Sequence, residues 1–158
     1  MTNWLAGQKI TAGGLNNDAG QWTAYTPTWT SSSGAAPSLG NGTLDGEYSL
    51  NGSTCTVRIA LAGGSTTTWG GGQHRFALPF TAASLANANF GYIGSALGSD
   101  LGTAYYPGIC RIFGAGTFVM LISPTTATGS APAEWNATRP FTWGSGDHLS
   151  LEITYKPA

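Results

Sequence analysis

Charge is what this chain has least of. Lys, Arg, Asp and Glu together make up 8% of its residues, against about 25% in ordinary globular proteins. The formal net charge is −1, so neither a basic footprint for nucleic acid nor an acidic tail is present. Two Cys are too few for a disulfide framework or a zinc site. No run of about 20 apolar residues exists to cross a bilayer. The opening residues lack a basic stretch followed by an apolar one, so no secretory signal is expected. Scarce Glu, Lys and Arg also argue against long helices, whose surfaces they usually fill.

What remains is glycine, hydroxyl groups and aromatic rings. Of 158 residues, 24 are Gly and six are Trp, and 41% of the chain is hydrophobic. That balance is the opposite of the one that keeps chains disordered, and the length suits one domain. An isolated soluble monomer usually disperses itself with mixed surface charge. A surface of Thr, Ser, Asn and Gly suits a component locked into a larger assembly.

From Trp22 onward the hydrophobic period is two. Leu44, Gly46, Tyr48 and Leu50 fall on one strand face, and Cys55, Val57, Ile59 and Leu61 on one face of the next, joined through Asn51-Gly52. Two alternating runs meeting at Asn-Gly predict a hairpin. Leu149, Leu151, Ile153 and Tyr155 alternate in the last strand. Weaker strands are expected at Tyr25–Trp29 (an edge, because of Pro27), from His74 to Phe80, and over Phe90–Leu97, Tyr105–Phe113 and Thr117–Ile122. About eight strands with no helix of note predict an all-β, antiparallel two-sheet sandwich or jelly roll. Residues 1–20 read as an arm that cannot fold alone, and 21–158 as the head domain. Thr117–Ile122 is apolar on both faces, which implies a second covering surface such as a neighbouring subunit.

The chemistry-bearing residues do not gather into a site. His74 and His148 stand alone at strand starts, each read as a solvated or hydrogen-bonded strand-end histidine. Asp45 and Glu47 share one strand face, whereas glycosidase carboxylates oppose each other across a cleft; a calcium site there has little more in its favour. No nucleophile elbow or phosphate loop is present. No catalytic residue, metal or cofactor is expected. Cys55 and Cys110 read as buried thiols, with a disulfide left open should their strands be adjacent. Loop aromatics are the suggestive feature. Trp69, Trp135 beside Asn136, and Tyr105-Tyr106 could stack on a sugar while an amide bonds its hydroxyls. Equally, such rings plug sandwich ends or sit between subunits.

Several stretches resemble a known group. The segment Trp4-Leu-Ala-Gly-Gln-Lys-Ile-Thr-Ala-Gly-Gly-Leu-Asn16 resembles the N-terminal segment of many tail and fibre proteins of actinobacterial tailed phages. Tyr25-Thr-Pro-Thr-Trp29, Gly40-Asn-Gly-Thr-Leu-Asp-Gly-Glu-Tyr48, and Gly64-Ser-Thr-Thr-Thr68 followed by Phe76-Ala-Leu-Pro79 resemble their short β-rich virion proteins. The resemblance implies a structural virion protein assembled in the host cytoplasm: a capsid decoration, minor tail or short tail fibre protein, often trimeric. Its partners would be other virion proteins and further copies of itself, with no nucleic acid and no membrane. Under this reading Trp4, Leu5, Ile10 and Leu15 anchor the arm to the particle. Phe118, Met120 and Ile122 face a neighbouring subunit, and outer loops reach the host. The competing expectation is a carbohydrate-binding sandwich acting as a receptor-binding protein, with a host-surface glycan held at Trp69, Trp135, Asn136, Tyr105 and Tyr106.

Overall fold

The computed structural model describes residues 6, 7, 9, 11, 20–123 and 133–158. The anchoring residues Trp4, Leu5, Ile10 and Leu15 lie outside them. The described chain is all β: β1 (Trp22–Tyr25), β2 (Trp29–Ser31), β3 (Thr43–Asn51), β4 (Thr54–Ala62), β5 (His74–Ala77), β6 (Gly91–Asp100), β7 (Ala104–Phe113), β8 (Phe118–Ser123), β9 (Ala133–Glu134) and β10 (His148–Tyr155).

The strongest alternations form the strands the sequence predicts. β3 and β4 pair antiparallel from Thr43↔Ala62 to Asn51↔Thr54, around a turn in which Gly52 holds a φ of 61° that a side chain would resist. β10 alternates exposed and buried residues without a break. The expected Tyr25–Trp29 strand is instead two short edge strands parted at Pro27. β1 pairs with β3 and β2 with β5, at opposite edges of the sheet. Proline has no N–H to give a ladder, so the chain changes edge there.

The two-sheet sandwich or jelly roll is not confirmed. One hydrogen-bonded path runs unbroken through β1-β3-β4-β10-β6-β7-β8-β5-β2, with β9 paired to β8. This antiparallel sheet curls into a half-barrel. The curl brings its ends together: the hydroxyl of Tyr25, the last residue of β1, donates to the Ala77 carbonyl of β5 at 3.3 Å. Strand twist makes such curling the natural outcome for a sheet of this many strands.

A half-barrel of one sheet needs something to fill it, and aromatic rings do so. Val57, Ile59, Leu61, Leu149, Leu151, Ile153, Ile112, Val119 and Leu121 point inward, against Trp29, Trp69, Phe76, Trp135, Phe141 and Trp143. Trp143 sits at the centre, 4.8 Å from Trp69, 4.3 Å from Phe141 and 5.7 Å from Trp135 between ring centroids. Small inward residues on β6 and β7 make the room. A Cβ on Gly108 would lie 2.5 Å from Cζ2 of Trp135, and one on Gly98 within 3.1–3.3 Å of Trp143, Trp135 and Phe141. These glycines are the floor on which the rings rest.

Loops lock the layer down. Both Asp147 carboxylate oxygens accept backbone N–H bonds, Oδ1 from Leu101 at 2.9 Å and Oδ2 from Gly144 at 2.6 Å. The Asn41 side-chain oxygen accepts from the Thr66 N–H and hydroxyl, both at 2.9 Å. Asn41 and Thr66 lie in two of the stretches that carry the phage resemblance, and here they are braces. Cys55 and Cys110 are free and buried, on β4 and β7, with β10 and β6 between them. Burial pushes the Cys110 thiol up to about 12; its Sγ contacts the carbonyls of Ser95 and Glu152 at 3.4 and 3.3 Å.

Candidate functional site

The aromatic residues considered for glycan stacking are not brought together on the surface. Trp135 is fully buried and Trp69 is 8% exposed. The reason for Trp135 lies in its backbone: its N–H donates to Leu121 O on β8 at 3.0 Å, and its carbonyl accepts the His74 N–H of β5 at 2.9 Å. The residue is stitched across the sheet with its ring turned inward. Trp69 follows from the Ser38↔Thr68 bridge that folds its loop over the barrel mouth, and it meets Trp29 edge-on at 5.4 Å. Asn136 spends its side-chain oxygen on Thr138, at 2.9 Å from the N–H and 3.2 Å from the hydroxyl. Strand alternation then separates the two tyrosines. Tyr106 turns inward onto Phe141 at 4.8 Å, while Tyr105 stands 73% exposed on the other face. The set Trp69, Trp135, Asn136, Tyr106 and Tyr105 therefore does not form one sugar platform; the rings plug the half-barrel.

His74 opens β5 as a hydrogen-bonded strand-end histidine, not a solvated one, and belongs to the same layer. It is wholly buried, with Trp29 Nε1 donating to its Nδ1 at 3.4 Å and Trp69 and Trp143 within 6.0 and 6.3 Å. Burial pulls its pKa down to about 4, only partly opposed by the Asn136 backbone. His148 is exposed. Among the described residues no group of three or more His, Cys, Asp or Glu is placed to hold a metal ion.

The outer face of the sheet carries what periodicity alone does not reveal. Register aligns its side chains in rows. One row reads Ala24, Glu47, Arg58, Glu152, Ser95, Ile109 and Ile122, from β1 across to β8. The next reads Asp45, Ala60, Ser150, Leu97 and Pro107. The face has two halves. On the β1 side, Arg58 lies between Glu152 at 2.5 Å and Glu47 at 3.6 Å, with its guanidinium 4.3 Å over the Trp22 ring. The small Ala60 and Ser150 leave a trough of about 680 Å³ there, bounded also by Asp45, Ser95 and Leu97.

On the β6–β7 side the same face exposes most of the large apolar side chains, with the Arg111 guanidinium 4.2 Å over the Phe113 ring. Ile93 (69% exposed), Leu97, Tyr105, Ile109 and Phe113 form an apolar strip interrupted by Ser95, Ser99 and Arg111, with Phe90 and Leu101 at its ends. Ten-residue strands make this strip about 30 Å long. The β8 residues expected to face a subunit lie at its margin. Ile122 is half-buried opposite Ile109. Met120 is buried within the single chain, between Arg75 and Arg111. Phe118 is half-buried, with the Arg75 guanidinium 4.4 Å over its ring. Met120 thus needs no partner to cover it; among the described residues most of the exposed large hydrophobics lie on or beside β6 and β7.

Comparison with known proteins adds a relative. Over 119 residues, 75% of this chain, the sequence is 39% identical to the Mu-like prophage FluMu defective tail fiber protein of Haemophilus influenzae. The chain is similar to part of a phage tail fibre protein. It spans about 18% of that relative's length. No family model matches the chain, and no solved structure matches it. The phage-tail part of the expected resemblance is thereby supported; the relative's source is not an actinobacterial phage.

Proposed function

We propose that this chain is a non-enzymatic structural domain of a phage tail fibre, built into the virion through contacts with other virion proteins. The likeness to a tail fibre protein over three quarters of the chain carries the reading, and it favours a fibre over a capsid decoration. Residues 1–20 are the arm that joins the particle, and residues 21–158 the head. The head is a homotrimer, and its outer surface meets the host. Support for self-association comes from the β6–β7 strip, since exposed apolar side chains grouped on one face mark contact surfaces. The low charge of the chain points the same way. The carbohydrate-module alternative loses its two tryptophans, because Trp69 and Trp135 are core rings.

Assembly tests the proposal. Ile93 and Ile109 are exposed, so Ile93→Glu with Ile109→Glu is expected to leave the β circular-dichroism spectrum unchanged. In phage complementation the doubly charged variant is expected to be missing from purified particles. Incorporation at the wild-type level would overturn the role given to this face.

A further inference from the structure

The trough on the β1–β3–β4–β10–β6 face borders the apolar strip and shares Leu97 with it, and its lining is chemically specific. We propose that it is a binding site for a saccharide bearing a free primary amine, a hexosamine. Its volume of about 680 Å³ falls within the range of small-ligand sites, roughly 300–1,000 Å³. The depression exists because the small Ala60 and Ser150 lie between Asp45 and Leu97 in their row.

Each wall selects a feature of the ligand. Three carboxylates, from Asp45, Glu47 and Glu152, line the trough against one guanidinium, Arg58. Arg58 is shared between Glu47 and Glu152, so Asp45, exposed at the end of the row, adds negative charge that this pair does not balance. A cationic group is the complement of such a lining. Ser95 and Ser150 supply hydroxyls that donate and accept hydrogen bonds, which suits a polyol. Leu97, Ala60 and Ala24 supply apolar surface for the C–H face of a pyranose. A ligand with an ammonium, several hydroxyls and an apolar face matches all three; a neutral sugar leaves the carboxylates unmet, and a plain alkylamine leaves the serines unused. This site gives the host contact proposed above a chemical identity, and it rests on that reading only for its biological setting.

Binding is read by titrating the whole ¹⁵N-labelled chain with glucosamine at pH 7, using N-acetylglucosamine as the neutral control. Glucosamine is expected to shift the amides of Ser95, Leu97 and Ser150, with a dissociation constant on the order of 1 mM. N-acetylglucosamine should bind roughly tenfold more weakly or not at all. Asp45→Asn should weaken glucosamine roughly tenfold, and Ala60→Leu, which fills the floor from the solvent side, should abolish the shifts while leaving the rest of the spectrum in place. Equal binding of the two sugars, shifts that survive Ala60→Leu, or no shifts with glucosamine would each overturn the proposal. The mass of the same sample reports self-association separately, so failure of the sugar site and failure of the trimer are distinguishable.

Discussion

Replacing Trp143 with alanine is expected to destabilise the fold by about 3–5 kcal/mol, the range for deleting a buried indole. Trp143 is 5% exposed and touches Trp69, Trp135, Phe141 and His74. Its Nε1 donates to the Arg139 carbonyl at 3.0 Å. The rings around it cannot collapse into the gap, because each is held by its own strand or loop. Trp135 is fixed by backbone bonds to β8 and β5, and Trp69 by the loop bridge at Thr68. The truncation therefore leaves a cavity rather than a repacked core. Urea unfolding measures the loss as a shift in midpoint with little change in slope. A loss under about 1 kcal/mol would mean that these rings are not the layer closing the half-barrel.

Acid should destabilise the protein through His74, and the direction follows from its burial. The folded ring has its pKa pulled down to about 4, while an unfolded histidine titrates near 6.5. Above pH 6.5 the ring is neutral in both states and the stability is fully present. Between pH 6.5 and 4 the unfolded chain takes up a proton that the folded core refuses, so stability falls across this window. Below about 4 both states are protonated at this position and the loss levels off at about 3 kcal/mol. His74→Phe keeps an aromatic ring and removes the proton. Urea titrations of the two proteins from pH 7 to 4 should diverge, the wild type losing more. Parallel curves would show that His74 is solvated in the folded state.

How much of this was legible depends on whether a feature is local. The β3–β4 hairpin and β10 could be read directly, since unbroken alternation and a central Asn-Gly leave one register that buries Val57, Ile59 and Leu61 together. The sheet order could not. Pairing β10 between β4 and β6, and sending β1 and β2 to opposite edges, depends on contacts between residues far apart in sequence, to which periodicity is blind. Trp69 and Trp135 were misleading for a related reason. Their neighbours, Thr68, Gly70, Glu134 and Asn136, are loop-like and polar, yet the rings fill a half-barrel that has no second sheet among the described residues. A signal was present in Gly98 and Gly108, which fall at inward positions where strands normally place bulk. A glycine floor calls for large rings above it. The exposed strip was also written in the sequence, as Ile93, Leu97, Tyr105, Ile109 and Phe113. Alternation groups such residues on one face, but it does not say which of two apolar faces the chain itself covers.

Self-association through that strip is the central claim, and the mass of the chain in solution tests it most directly. Sedimentation equilibrium at micromolar concentration should give three times the chain mass for the wild type. The Ile93→Glu, Ile109→Glu variant should sediment as a folded monomer. A wild-type protein that is a clean monomer under the same conditions would contradict the claim, and would leave the β6–β7 strip to be covered by another virion protein.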